Sequence, residues 1–306
     1  MYSFAKEQRI IELGHFKIGG QPGELPTVLF GTVFYGRKFR DMPSQEIKAL
    51  IEQQASFSDL TGNPAVVDVF IAKEEQIAMR LDLVLDTISD NHSFSIDVPE
   101  AEVRIKALEH LHSIGVLDRT IYNSLNLGVT KEEVQALKEH TPKSAVVLGY
   151  NPRDLSTDGR INIIENGSGM VDKGLMPLAQ ECGIENMLMD TAATPFEHMA
   201  GETVRAVPAM KNKWGYPVGC SIHNMVESWL WLKEHKKEHP GLYEVCDIGS
   251  NGLIILLGAD FSIYGPITSA SKVFPFAAMV DKVVSEGAEE YFAVAPPDIH
   301  PRSKLP

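Results

Sequence analysis

Short apolar runs alternate along this chain with longer stretches whose apolar residues recur every three or four positions. These are the signatures of buried strands and of helices with one buried face. Residues 27–34 (TVLFGTVF) are β-branched and aromatic and predict a first strand. A helix follows over about 43–54, with Pro43 at its start and Ile47, Leu50 and Ile51 on one face. Two runs compete for the second strand, 56–60 and 66–71, and the turn before Pro64 suits a loop in either case. A helix over 73–88 leads to a strand at 93–98 that ends in Asp97, and a helix over 100–113 leads to a strand at 119–124 that ends in Asn123. The helix 131–139 precedes the buried run 143–150 (KSAVVLGY), with Asn151 directly after it. A long connection, 153–168, then a helix over 170–182, bring the chain to a short strand at 186–189 that ends in Asp190. After a helix over 203–212, Tyr216, Pro217 and Val218 read as a strand that stops abruptly in small and polar residues: Gly219, Cys220, Ser221, His223 and Asn224. A helix over 226–237, an extra segment (243–248 and 252–257), a last strand at 260–264 and a closing helix over 270–284 complete the pattern.

Eight strand–helix units in alternation predict a closed parallel (β/α)8 TIM barrel, a single domain over residues 1–306, with the turn at 19–23 covering its floor. In that fold the strand ends gather at one mouth, so Asp97, Asn123, Asn151, Asp190 and Asn224 would face one ligand. Carboxylates and carboxamides suit a flat, amide-like heterocycle. An ionised Asp accepts two hydrogen bonds side by side, and Asn matches a donor–acceptor edge. Gly219 would let a ligand approach the backbone, and Ser221 adds a hydroxyl. Any one of these residues reads equally well as a turn or cap residue, and repetition at successive strand ends is what argues for a site.

Composition narrows the function further. With 44% hydrophobic residues the chain can bury a sizeable core, and its net charge of −13, from 28 basic and 41 acidic residues, argues against a nucleic-acid partner. Cys182, Cys220 and Cys246 are widely spaced and odd in number, which fits neither a disulfide framework nor a thiolate zinc site and points to a reducing cytoplasm. The longest aliphatic run, 253–257, is far short of the roughly 20 residues that span a bilayer. His235 and His239 lie in a charged run that reads as a solvated face, and Gly167-Ser168-Gly169 reads as the start of a helix. Arg37, Lys38 and Arg40 form a basic loop that would leave the mouth of the barrel, where they could meet an anionic tail or a partner protein.

Several motifs carry a family resemblance: SDLTGNP (58–64), YNS (122–124), LGYNP (148–152), LMDTAATP (188–195), KWGYPVG with IHN (213–224), CDIG (246–249) and YGPI (264–267). Over nearly its whole length the chain resembles the H-subunit family of tetrahydromethanopterin S-methyltransferases. It looks most like the free-standing members that pass a methyl group from methylcobalamin to tetrahydrofolate in glycine betaine metabolism, and departs from the methanogen pattern at 36–42, where a longer insert is replaced. More distantly it resembles the pterin-binding barrels, whose strand-end Asp and Asn residues match Asp97, Asn123, Asp190 and Asn224. The resemblance implies methyl transfer from methylcobalamin on a corrinoid partner protein to nitrogen-5 of tetrahydrofolate, no metal of the chain's own, and a homodimer. It implies Asn224 as the catalytic amide, with the neighbouring His223 as its rival for the reacting nitrogen. The alternatives are a tetrahydromethanopterin-dependent component of a membrane complex, and a pterin-binding assembly component without catalysis.

Overall fold

The structure is a computed structural model and describes residues 2–305. A hairpin of β1 (Ile10–Leu13) and β2 (Phe16–Gly19) precedes eight parallel strands: β3 (Val28–Val33), β4 (Ala65–Phe70), β5 (Phe94–Asp97), β6 (Thr120–Leu125), β7 (Ser144–Leu148), β8 (Asn186–Asp190), β9 (Val218–Cys220) and β10 (Phe261–Pro266). They close into a barrel in the order β10-β3-β4-β5-β6-β7-β8-β9. The TIM barrel expected from the alternation is therefore the fold. Among the described residues no helix is long and apolar enough to cross a membrane.

Strand phase builds the interior in layers, because alternate side chains point to opposite faces of the sheet. Val28 and Phe30, Val66, Ile121, Val146 and Leu188 point inward and pack on Leu13, Phe16 and Ile18, so the hairpin plugs the lower end of the barrel. This is the floor cover expected at 19–23, formed by the two short strands just before that turn. The alternate residues, among them Val67, Val69, Ile96, Tyr122 and Met189, face outward under the helices and form the larger apolar shell. Gly31 in β3 makes a close crossing feasible: a Cβ there would lie 2.2 Å from the Tyr264 hydroxyl, which Gln54 Nε2 contacts at 3.0 Å.

Several elements differ from expectation. The second strand is the 66–71 alternative, while 56–60 continue the helix Ser44–Thr61, which Gly62 ends in the left-handed conformation at φ 90°. The connection expected at 153–168 is largely a helix, Thr157–Asn166, capped by Ser156. Gly167–Gly169 is a single 3-10 turn beyond that helix, and the next helix begins only at Leu175. The helix expected over 226–237 is broken at Trp229 into Ile222–Ser228 and Leu230–His235. The extra segment is a helix, Leu242–Ile255, that packs beside Ile222–Ser228.

Candidate active site

Above the apolar layer the same inward phase delivers polar residues from every strand of β3–β8 except β7. Two positions beyond Phe30, Val66, Ser95, Ile121, Val146 and Leu188 stand Thr32, Asp68, Asp97, Asn123, Leu148 and Asp190. These six line a cavity of about 240 Å³ at the C-terminal end of the barrel, with Tyr35, Ser124, Ser221, His223, Asn224, Ile263 and Gly265 completing its wall. The cavity is smaller than the roughly 300–1,000 Å³ typical of drug-sized ligand sites and suits a bicyclic ring.

Of the residues the sequence nominated, Asp97, Asn123, Asp190, Ser221 and Asn224 meet here. Asn151 does not. It lies beyond the end of β7, and its amide is used locally: Nδ2 donates to the Gly159 carbonyl at 3.0 Å and to Ser168 Oγ at 3.2 Å, while Oδ1 accepts from Arg153 N and Asp154 N. It shapes the turn into the Thr157–Asn166 helix. Gly219 lies inside β9 and away from the cavity; a Cβ would lie 2.1 Å from the Phe261 carbonyl oxygen, so packing against β10 accounts for the glycine. Arg37 and Lys38 line a second pocket, about 310 Å³, which shares Tyr35 and His223 with the first. Arg40 does not line that pocket; it lines a neighbouring one with Met42, Phe70 and Arg80, which Arg37 also borders.

Asp68, Thr32, Tyr35 and Asp247 were not nominated. Asp68 had a signal, an acidic residue inside the apolar run AVVDVF. It is buried, accepts from Thr32 Oγ1 at 2.8 Å and from Asn123 Nδ2 at 3.4 Å, and burial still lifts its pKa above the ordinary value. Asp97 is raised well above its ordinary value, first by burial and then by the Asp68 charge, and among the described residues no donor reaches its carboxylate. Burial of both groups, and the Asp68 charge felt at Asp97, favour their protonated forms. Burial lifts Asp190 to about 7, against the opposing pull of the Ala192 N–H, which it accepts at 2.6 Å, and of Arg160.

Two buried arginines fix the loops next to these groups. Arg104 forks onto Glu133 at 2.9 and 2.8 Å and donates to the carbonyls of Val98 and Pro99, directly after Asp97, while the Tyr122 hydroxyl bonds Glu133 from below. Arg160 holds the loop after Asp190 through the carbonyls of Thr191 and Ala192 and through Thr194 Oγ1. The helix starting at Ile222 places Asn224 in its first turn, exposed at the cavity wall, with no side-chain hydrogen bond to any other described residue. Beside it His223 is buried and pairs with Asp247. Among the described residues no cluster of His, Cys, Asp or Glu is arranged to hold a metal ion.

A family model described as "Tetrahydromethanopterin S-methyltransferase MtrH subunit" matches residues 6–295. The chain belongs to that family. MtrH-family relatives include the H-subunit of tetrahydromethanopterin S-methyltransferase from Methanothermobacter thermautotrophicus, 44% identical with both chains fully covered, and that from Methanocaldococcus jannaschii, 38% identical over the same full extent. Among solved structures, dihydropteroate synthase of Vibrio fischeri aligns with a TM-score of 0.62 at 13% identity over 91% of this chain and 99% of its own. That of Yersinia pestis aligns at 0.60 and 11% identity over 90% and 98%. At such low identity these two speak for the barrel alone.

Proposed function

We propose that this MtrH-family chain moves a methyl group between the cobalt of a corrinoid, carried by a partner protein, and nitrogen-5 of a tetrahydropterin, and that it works in the cytoplasm. The names of its relatives favour tetrahydromethanopterin as the pterin, rather than the tetrahydrofolate expected from the resemblance to free-standing enzymes. One observation keeps tetrahydrofolate as a second reading: Arg37 and Lys38 line the pocket that adjoins the cavity, where a glutamate tail would meet them.

The observation that carries the proposal is the polar layer itself. Asp68, Asp97, Asn123 and Asp190 surround a cavity of bicyclic size, and Asp97, partly exposed there, accepts no side-chain hydrogen bond from any described residue. A pterin edge presents adjacent N–H donors; their approach favours the ionised form of Asp97, whose proton affinity burial and Asp68 raise in the free site, and Asn123 and Asp190 complete the match. The same cavity is too small to enclose a corrin macrocycle, so the corrinoid would approach the open mouth from outside. When bound, it supplies the carbon–cobalt bond and keeps the electron pair as that bond breaks. The chain's own residues are left to bind and orient the pterin and to manage the proton on nitrogen-5. Asn224 fits the place nearest that nitrogen, since a free carboxamide can accept from a protonated nitrogen or donate to an unprotonated one.

The test is transfer from free methylcobalamin by the purified chain, with tetrahydromethanopterin and tetrahydrofolate compared side by side, together with calorimetric binding of each. Transfer to the first supports the main reading, and transfer to the second alone moves the assignment to tetrahydrofolate. Binding without transfer, even with a corrinoid protein added, would make the chain an assembly component.

A further inference from the structure

Attachment of a methyl group to a secondary ring nitrogen leaves that nitrogen with one proton too many, so the reaction proposed above needs a group that takes it. Asn224 cannot, because a carboxamide does not gain a proton near neutral pH. We propose that His223, held by Asp247, is the acid–base residue that takes the nitrogen-5 proton of the bound tetrahydropterin when the methyl group arrives and returns it in the reverse direction. The inference rests on the proposed methyl transfer. In the forward step the nitrogen–carbon bond forms, the nitrogen–hydrogen bond breaks, the proton passes to His223 Nε2, and the electron pair of the broken carbon–cobalt bond stays on cobalt.

The geometry points to this residue specifically. His223 Nδ1 lies 2.8 Å from Asp247 Oδ1, so the ionised carboxylate accepts Nδ1–H and leaves Nε2 as the working nitrogen. His223 forms part of the wall between the inner cavity and the outer pocket, so a proton collected on the inside has a route to solvent. The fold makes room for the ring. Gly265, at φ 83° near the end of β10, would put a Cβ 2.4 Å from His223 Cγ, so a side chain there would occupy the imidazole's place.

The charges around His223 decide its proton affinity. Burial works against the imidazolium, but Asp247 and then Glu227, whose Oε2 is 3.7 Å from Nε2, outweigh it and lift His223 above its ordinary value. From the Leu242–Ile255 helix the Tyr243 ring meets His223 edge-on, and Glu244 lines the same pocket. Tyr35, Arg37 and Lys38 face it from the loop after β3. Across the cavity stand Asp68, Asp97 and Asp190; the last, near 7, is the rival base.

The experiment follows transfer in both directions between pH 5 and 9, in the wild type and in His223→Gln, Asp247→Asn, Glu227→Gln and Asp190→Asn. Methylation of the pterin should rise with pH and demethylation should fall, both with one midpoint above about 6.5. His223→Gln should lose roughly 10²–10⁴-fold in maximal rate and flatten both limbs while binding pterin as before. Asp247→Asn should keep the limbs and move their midpoint down, and Glu227→Gln should do so less. Independently of activity, the imidazole resonance missing from His223→Gln should titrate above 6.5 in wild-type protein, fall in Asp247→Asn, and shift when tetrahydropterin binds. Limbs that survive in His223→Gln, or that vanish only in Asp190→Asn, would overturn the assignment and leave methyl transfer standing. A wild type that transfers no methyl group to either pterin would overturn both.

Discussion

Asp190→Asn separates what this residue does for a ligand from what it costs the fold. Asp190 is 3% exposed, and burial lifts its pKa from 3.8 to about 7. Between those values the native state keeps a proton that the unfolded state has already released, so wild-type stability falls as pH rises through that window and levels off above it. At about 1.36 kcal/mol per unit, the three-unit window corresponds to about 4 kcal/mol as an upper bound, and the two units between pH 5 and 7 to about 3 kcal/mol. Asparagine keeps the shape and an oxygen for the Ala192 N–H but has no proton to lose. The difference in unfolding free energy, variant minus wild type, should therefore grow by up to about 3 kcal/mol from pH 5 to pH 7 and then stay level. Groups shared by both proteins cancel in that difference. Urea melts followed by tryptophan fluorescence at half-unit steps of pH measure it. A difference that stays constant from pH 5 to 8 would show that Asp190 ionises in the native state as freely as in the unfolded one. The electrostatic account of the site would then be wrong at its best-defined carboxylate. Pterin affinity should fall in the same variant, so stability and binding move in opposite directions at neutral pH.

Asn224→Ala should lower the maximal transfer rate and leave pterin affinity within a few-fold, and steady-state kinetics with calorimetry would reveal the reverse if the amide were only an anchor. Replacing Arg37 and Lys38 by Gln should raise the Michaelis constant for a pterin with an anionic tail, with the effect shrinking at high salt; Arg40→Gln, facing a different pocket, should not. Glu133→Gln leaves Arg104 buried without its counter-charge and should cost roughly 3–5 kcal/mol in urea unfolding. An unchanged midpoint there would refute the view that this pair supports the Asp97 loop.

The barrel was legible because every strand except the second had a single candidate run and each was followed by helical spacing. What the sequence blurred were connections. The helices Thr157–Asn166 and Leu242–Ile255 carry mixed faces, with Gly159 in the first and Ser250, Asn251 and Gly252 in the second, so their spacing did not stand out. The His223–Asp247 pair joins two helices 24 residues apart, and its Asp belongs to the segment whose structure was not read. No local pattern signals a partnership of that kind.

The site residues divide by how each reaches the cavity, and that division explains which of them could have been known. Asp68, Asn123 and Asp190 each follow, by two positions, an apolar residue that faces the barrel interior, namely Val66, Ile121 and Leu188. Asp97 follows the inward Ser95 in the same way. Phase within a strand is a property of sequence, since a residue two positions on must share the face. Once 66–71 is accepted as the second strand, Asp68 is therefore as predictable as Asp190. The same rule excludes Asn151. The inward face of β7 runs through Val146 and Leu148, which leaves an odd-numbered position out of phase even before the strand ends. Asn224 reaches the wall from a helix that begins two positions after β9 ends, and strand phase says nothing about it. Its placement depends on where the chain turns from strand to helix, within a stretch of small residues whose periodicity is too short to read.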